Sequence, residues 1–184
     1  EGEIEHRLGR LHHRLGDATQ AVCHFAAALE RLPAAAAQSR ALVLVDWSLA
    51  AYGTHRMDDA VHLAEEALEQ AHGEGAQAVQ ARAYDILSLV ARKHNDLAAA
   101  IAHGERSLAA ARQLNDPAAE MAALNTLALA HAAGAAEDEA ITLLHGALTL
   151  CMRLGDRHRE AALRNNLADL YYASGRPNVA MHEL

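Results

Sequence analysis

The sequence predicts an all-α protein in which antiparallel helix pairs stack into a solenoid. A short motif recurs after forty residues: Asn-Thr-Leu-Ala at 125–128 returns as Asn-Asn-Leu-Ala at 165–168. Thirteen residues after each repeat leucine, or the tryptophan in its place, comes an alanine, and these are Ala21, Ala60, Ala100, Ala140 and Ala180. Only 3% of the residues are aromatic and three are proline, which favours helices that pack closely through alanine. Such pairs bury their apolar faces only by stacking on one another.

Apolar periodicity and local start and stop signals define the elements in order. The predicted helices, in pairs, span residues 1–14 and 18–32, 36–53 and 57–72, 76–93 and 97–113, 117–133 and 137–153, and 157–173 with a shorter partner up to 184. Pro33 ends the second helix, because proline cannot donate the hydrogen bond that continues it. Asp58 and Asp59 place negative charge at the start of the fourth helix, which its dipole favours. Asp116 is the expected N-cap of the seventh helix, with Pro117 at its first position.

These pairs are expected to form a single array over the whole chain. Its units cover residues 1–33, 36–73, 76–114, 117–154 and 157–184, the last being truncated. The chain starts without methionine inside a helical pattern, and its fifth unit stops within a helix. Because a natural solenoid usually ends in a polar capping helix, we expect the chain to be a fragment of a larger protein.

The repeat resembles the tetratricopeptide repeat (TPR), whose pattern is W-x2-L-G-x2-Y, then A-x3-F, then P. The first unit supplies Leu8, Gly9, His12 in the tyrosine position, Ala21, Phe25, Ala28 and Pro33. The tryptophan position departs from the pattern and holds Glu5, Leu44, Tyr84, Leu124 and Arg164. The period of about 40 residues, rather than 34, is similar to that of kinesin light chains and of bacterial signalling ATPases and transcriptional activators. The resemblance implies a right-handed solenoid of about four and a half units.

Composition and charge exclude several kinds of partner. The formal net charge is −8, whereas a nucleic-acid-binding domain needs a clustered basic face. The sequence has neither a signal-peptide pattern nor an apolar run long enough to cross a bilayer, so we expect no membrane contact and a cytoplasmic location. Cys23 and Cys151 are three units apart, too far for a disulfide, and are predicted to be reduced and buried.

The sequence offers no strong catalytic or metal site. Thirteen histidines are present, but none has a metal-binding spacing such as H-x3-H on a helix or H-E-x-x-H. The one candidate nucleophile, Cys151 near His145 or His158, lacks a third residue to orient the base. We therefore expect no enzyme activity, no metal and no cofactor.

Candidate binding residues lie in the first helix of each unit, which lines the concave face of a solenoid of this kind. Counted from the repeat leucine, the groove-facing positions are two before it, two after it and five after it, which keeps each set on one helix face. The candidate groove residues, including one neighbour of these positions, are Asp85, Leu89, Arg92, Asn125, Leu129, Asn165, Asn166, Asp169 and Tyr172.

The asparagines at one repeat phase, Asn125 and Asn165, are unusual because asparagine is a poor residue for a helix interior. A side-chain amide offers both donors and an acceptor to a peptide backbone. By resemblance to kinesin light chains, whose groove asparagines hold a peptide backbone, Asn125 and Asn165 are expected to do so here, together with Asn166. The alternative is that these amides only bridge neighbouring helices. Asp85 and Arg92 likewise either select the charge of a ligand or form local ion pairs.

The sequence thus predicts a non-catalytic protein–protein interaction module that holds a peptide or protein segment in its concave groove. The partner is expected to be another protein or another domain of the parent chain, and the resemblance suggests a bacterial regulatory protein as that parent. Two alternatives stay open. One is a self-associating or spacer solenoid without a ligand, and the other is a sensor arm that binds a small effector.

Overall fold

The computed structural model describes residues 1–73 and 75–183, which form helices joined by short turns. The helices are α1 Gly2–Arg14, α2 Ala18–Arg31, α3 Ala37–Gly53, α4 Met57–Gln70, α5 Ala76–Lys93, α6 Leu97–Leu114, α7 Pro117–Ala133, α8 Glu137–Leu154, α9 Arg157–Ala173 and α10 Pro177–Glu183. These bounds agree closely with those that the periodicity predicts. The predicted linker residue Glu74 and the predicted last residue, Leu184, lie outside the described residues.

The helices form a solenoid of antiparallel pairs. Each odd-numbered helix packs against the even-numbered helix that follows it, and each pair stacks on the next. The first helices of successive pairs also contact one another, α1 with α3, α3 with α5 and α5 with α7. Within the described residues, α7 and α9 make no contact as extensive as that between α5 and α7. The predicted all-α solenoid is therefore confirmed, and its layer of first helices opens beside α7.

Small residues lie where the two helices of a pair approach each other. The repeat alanines are buried, with 6% exposure for Ala180 and 0% for Ala21, Ala60, Ala100 and Ala140. In the second and third pairs, the Oγ atoms of Ser48 and Ser88 each donate to the carbonyl oxygen of the repeat alanine at 2.7 Å. In the first pair the equivalent residue is Gly9, where a Cβ atom would lie 2.6 Å from the ring of Phe25. The repeat alanines thus mark the positions where close packing excludes larger side chains.

The turns within pairs repeat one backbone conformation. A residue with positive φ stands in each of these turns: Gly16, His55, Asn95, Ala135 and Gly175. In the fourth pair, Gly134 is the sequence signal for the turn, yet its φ is −87° and the positive φ of 59° falls on Ala135. The repeat geometry therefore fixes which residue adopts the left-handed conformation, even where a glycine is available at the preceding position.

The two cysteines differ in their surroundings. Cys151 is buried, its Sγ donates to the carbonyl oxygen of Asp156 at 3.1 Å, and burial raises the pKa of its thiol. Cys23 is exposed, so the prediction that both are buried is wrong for this residue. The buried face of α2 carries Ala21 and Phe25, and Cys23 lies between them in sequence, turned away from that face. In the described part of the chain, no helix is long and apolar enough to cross a membrane.

Candidate functional site

A ladder of side-chain contacts joins the first helices of successive units. Between the first and second units and between the fourth and fifth units, the residue two before the repeat position of one unit meets the residue one before it in the next. His6 Nε2 lies 2.6 Å from Asp46 Oδ2, and Asn166 Nδ2 donates to Asn125 Oδ1 at 2.9 Å. Asn125 and Asn166 therefore bridge α7 and α9. Bridging of neighbouring helices is one of the two roles that the sequence leaves open for the asparagines.

The N-terminal part of the ladder is a buried charge cluster around Asp46. This carboxylate is 5% exposed on α3, and it pairs with Arg82 of α5 as well as with His6. Arg10 Nε lies 3.6 Å from the same carboxylate. Burial alone would raise the pKa of Asp46, but the hydrogen bond from His6 and the charge and hydrogen bond of Arg82 outweigh it and leave the pKa lowered. Asp46 therefore ties α1, α3 and α5 together as an anion.

Further along the same layer, a cavity of about 300 Å³ lies among α5, α7 and α9. Its lining residues are Asp85, Leu89, Met121, Ala122, Asn125, Thr126, Arg159, Ala162, Leu163 and Asn166. The apolar part of the wall is formed by leucine, methionine and alanine side chains, and the polar part by one carboxylate, one guanidinium, the hydroxyl of Thr126 and the two amides of the ladder. This cavity is the candidate site, because it combines an apolar surface with a few convergent polar groups.

The carboxylate of Asp85 is the electrostatically unusual group of the cavity. Its Oδ1 atom is buried and has no hydrogen-bond partner among the described residues. Burial raises the pKa of Asp85 from 3.8 to about 6, against a smaller lowering by the side chain of Thr126. Arg82, three residues earlier on α5, is paired with Asp46 instead. The ionised form of Asp85 therefore has no ion-pair partner among the residues that the structure describes.

The amide pair of Asn125 and Asn166 retains hydrogen-bonding capacity. Their mutual bond uses one N–H and one carbonyl oxygen. Each side-chain amide has two donor hydrogens and one acceptor oxygen, so the bond leaves both hydrogens of Asn125 Nδ2, one hydrogen of Asn166 Nδ2 and the Oδ1 atom of Asn166 unused. Within the described part of the structure, neither the Nδ2 atom of Asn125 nor the Oδ1 atom of Asn166 makes a hydrogen bond. A free donor group beside a free acceptor atom complements the backbone of an extended peptide.

The other predicted groove residues lie elsewhere. Asn165, Asp169 and Tyr172 line a second cavity of about 560 Å³ beside α10. Arg92 has a buried Nε atom without a hydrogen-bond partner among the described residues, and neither Arg92 nor Leu129 lines the first cavity. The predicted set is thus divided between two cavities, with Arg92 and Leu129 in neither, and its binding role stays a prediction.

Three residues that line the first cavity are not at the positions predicted from the sequence. Met121, Arg159 and Leu163 lie four to eight residues before the repeat leucine of their helices. They reach the cavity from the N-terminal halves of α7 and α9. In the part of the chain that the structure describes, no three His, Cys, Asp or Glu side chains come together as a metal site.

No protein family model matches the sequence, and no curated protein matches it. Solved structures do match. Aspartyl phosphate phosphatase F from Bacillus subtilis has a TM-score of 0.80 at 14% identity, over 99% of this chain and 49% of that one. The Rap conjugation gene regulator of the plasmid pLS20, in complex with the Phr* peptide, has a TM-score of 0.80 at 14% identity, over 99% of this chain and 51% of that one. TPR-like repeats of kinesin light chain type from Podosopora anserina have a TM-score of 0.68 at 18% identity, over 98% of this chain and 90% of that one.

These likenesses concern the fold. The chain spans about half the length of the first two proteins, and the identities are between 14% and 18%. They confirm the tetratricopeptide-like solenoid that the repeat pattern predicts.

Proposed function

We propose that this chain is a non-catalytic binding module that holds an extended peptide segment in the cavity among α5, α7 and α9, and that its helix pairs act as one array. The observation that carries the proposal is the lining of this cavity. Apolar side chains from three helices surround a carboxylate that has no ion pair among the described residues and an amide pair whose Asn125 Nδ2 and Asn166 Oδ1 atoms are not used by their mutual bond. Such a surface suits a ligand that carries both backbone amides and side chains.

The ladder gives this site its rigidity. The hydrogen bond between Asn125 and Asn166 fixes the orientation of both amides before a ligand arrives, so little side-chain entropy is lost on binding. A peptide amide bound to this pair contributes affinity that does not depend on the peptide's sequence, while the apolar wall and Asp85 select its side chains. The Rap regulator, whose structure holds the Phr* peptide, supports this proposal through its similar fold.

Filling the cavity is expected to abolish most of this binding. Ala162 is an exposed residue of α9 that lines the cavity, so Ala162→Trp should occupy it without disturbing the core. We expect the variant to bind fluorescent random nonapeptides about tenfold more weakly than the unaltered chain. Fluorescence anisotropy with the pooled peptides measures the effect.

The matched control is Ala161→Trp, since Ala161 is exposed on the same helix but does not line the cavity. This variant should bind as the unaltered chain does, and circular dichroism should show equal helix content in all three proteins. Equal binding by both tryptophan variants would place the peptide elsewhere, and no binding by the unaltered chain would exclude the proposed function.

A second candidate function is self-association through the surface that joins α9 and α10. Tyr172 is 73% exposed there and Met181 is 72% exposed, and both line the cavity of about 560 Å³. Large apolar side chains with this exposure are costly in water and favour an apolar partner surface. A second copy of the chain is the simplest such partner.

If this surface makes a dimer, Met181→Lys is expected to convert the dimer to a monomer, because a lysine buried in the interface would lose its hydration. Multi-angle light scattering over a range of protein concentrations measures the change. Met152→Lys is the control, since Met152 is 58% exposed on α8 and away from this surface. A chain that is monomeric at every concentration, or a dimer that survives Met181→Lys, excludes this candidate.

A further inference from the structure

The cavity among α5, α7 and α9 contains an acid whose partner is missing from the described residues. We infer that this cavity takes a basic side chain, lysine or arginine, of the bound peptide and pairs its cation with the carboxylate of Asp85. The inference rests on the proposed function and adds to it the chemical class of the residue that is recognised. It follows from the charges around Asp85, from the shape of the wall and from the energetics of the buried carboxylate.

No arginine pairs with Asp85 among the described residues, although Arg92 of the same helix has a buried Nε atom without a hydrogen-bond partner there. Arg82 and Arg10 are directed to Asp46 instead. Arg159, on the α9 side of the cavity, lies 3.5 Å from Asp156 of its own helix start. In the part of the chain that the structure describes, no ion pair forms on Asp85, and its Oδ1 atom has no hydrogen-bond partner. A ligand cation at Oδ1 would therefore displace no ion pair of this carboxylate, which has a hydrogen bond with the side chain of Thr126.

The wall of the cavity suits a long basic side chain. Leu89, Met121 and Leu163 line it, and the last two are only 2% and 4% exposed. Lysine and arginine place apolar methylene groups against such surfaces while their charged ends reach a polar partner. The volume of about 300 Å³ is at the small end of the range for ligand cavities and fits one side chain better than a folded partner.

The free chain holds Asp85 in an unfavourable state at neutral pH. Burial raises the pKa of this carboxyl to about 6, so at pH 7 it is mostly ionised although its environment favours the neutral form. A bound cation stabilises the ionised form and removes this penalty. A bound carboxylate would repel it, and the net charge of −8 on the whole chain also favours approach by a basic peptide.

Four pools of fluorescent nonapeptides test the inference. The central residue is fixed as arginine, lysine, citrulline or glutamate, and the other positions are random mixtures of uncharged residues. We expect the arginine and lysine pools to bind the chain about tenfold more tightly than the citrulline pool, the ratio typical of one charge-assisted hydrogen bond. The glutamate pool should bind most weakly.

Asp85→Asn is expected to equalise the arginine, lysine and citrulline pools, since it removes the charge and keeps the shape of the side chain. Asp58→Asn removes the same charge from an exposed position of α4 that lines no part of this cavity and should leave the preference intact. A preference for basic pools that survives Asp85→Asn, or its absence in the unaltered chain, overturns the inference while peptide binding stands. If the unaltered chain binds none of the pools, the proposed function fails and this inference fails with it.

Discussion

Replacing Asp46 with alanine is expected to lower the free energy of unfolding by about 3 kcal/mol, the lower end of the cost of breaking a buried ion pair. The carboxylate is 5% exposed and holds His6 of α1 and Arg82 of α5 against α3. Without it, two basic side chains face each other across a partly buried gap with nothing to accept their hydrogen bonds. Because α1 makes only limited contact with α3, the first helix pair should loosen before the rest of the solenoid.

The effect stays at the lower end because one partner can regain water. The side chain of Arg82 is 37% exposed, whereas that of His6 is 17% exposed. The pKa of Asp46 is lowered in the folded chain, so the folded state binds this proton less readily than the unfolded chain does. The stabilisation from Asp46 is therefore fully present above the unfolded pKa near 3.8 and is lost as the pH falls through the lower folded pKa.

Urea denaturation at pH 7, followed by circular dichroism, measures the change in unfolding free energy. Arg82→Ala and the double variant with Asp46→Ala complete a double-mutant cycle, and the double variant should lose less than the sum of the two single losses. Asp169→Ala, at an exposed position, serves as the control and should change stability by less than about 0.5 kcal/mol. Additive losses would show that Asp46 and Arg82 stabilise the fold independently of each other.

The sequence predicts the helices and their stacking well because the repeat records where helices touch. A residue at a helix crossing must be small in every unit, and the repeat alanines and Ser48 and Ser88 show that constraint directly. Helix ends are equally local, since Asp116 caps α7 through the backbone N–H groups of Ala118 and Ala119. These features depend on residues that are close in sequence or that hold the same position in each repeat, so they can be recognised from one sequence.

The site is less predictable because it depends on how neighbouring units are set against each other. Counting from the repeat leucine picks out Asp85 and Asn125, which line one cavity, but it does not indicate that Asp46, one position away from the predicted row, is the centre of a charge cluster. The signal available in the sequence is that Asp46 is the one acidic residue of the otherwise mostly apolar helix α3. Asn165 holds the same repeat position as Asn125 but lines the cavity beside α10 instead.

The stability of the unaltered chain is expected to fall by about 2 to 3 kcal/mol between pH 4 and pH 7 through Asp85 alone, and Asp85→Asn should remove this loss. The folded pKa of about 6 lies above the unfolded value of 3.8. Between these values the folded chain holds a proton that the unfolded chain has released, so rising pH favours unfolding. We take the lower part of the range because the side chain partly reaches the cavity and its solvent.

The difference in unfolding free energy between Asp85→Asn and the unaltered chain isolates this group, because the other titrating residues are common to both. Arg159 of α9 lines the same cavity as Asp85, and Arg82 and Arg92 lie on the same helix as Asp85; all three arginines are present in both proteins. Chemical denaturation from pH 4 to pH 8 should give a difference near zero at pH 4 that rises to its full value above pH 7, with Asn the more stable. A flat profile, like that expected of the control Asp169→Asn, would mean that Asp85 is well solvated.

A gain in stability on replacing Asp85 would also bear on function. A carboxylate held without a cation makes the free chain less stable, and residues that reduce stability in this way are typical of binding sites, where the ligand supplies the missing interaction. A basic nonapeptide at saturation should then restore the stability that the ionised Asp85 removes, so the unaltered chain should gain more from the peptide than Asp85→Asn does. An equal gain in both proteins would separate the pH effect from ligand recognition.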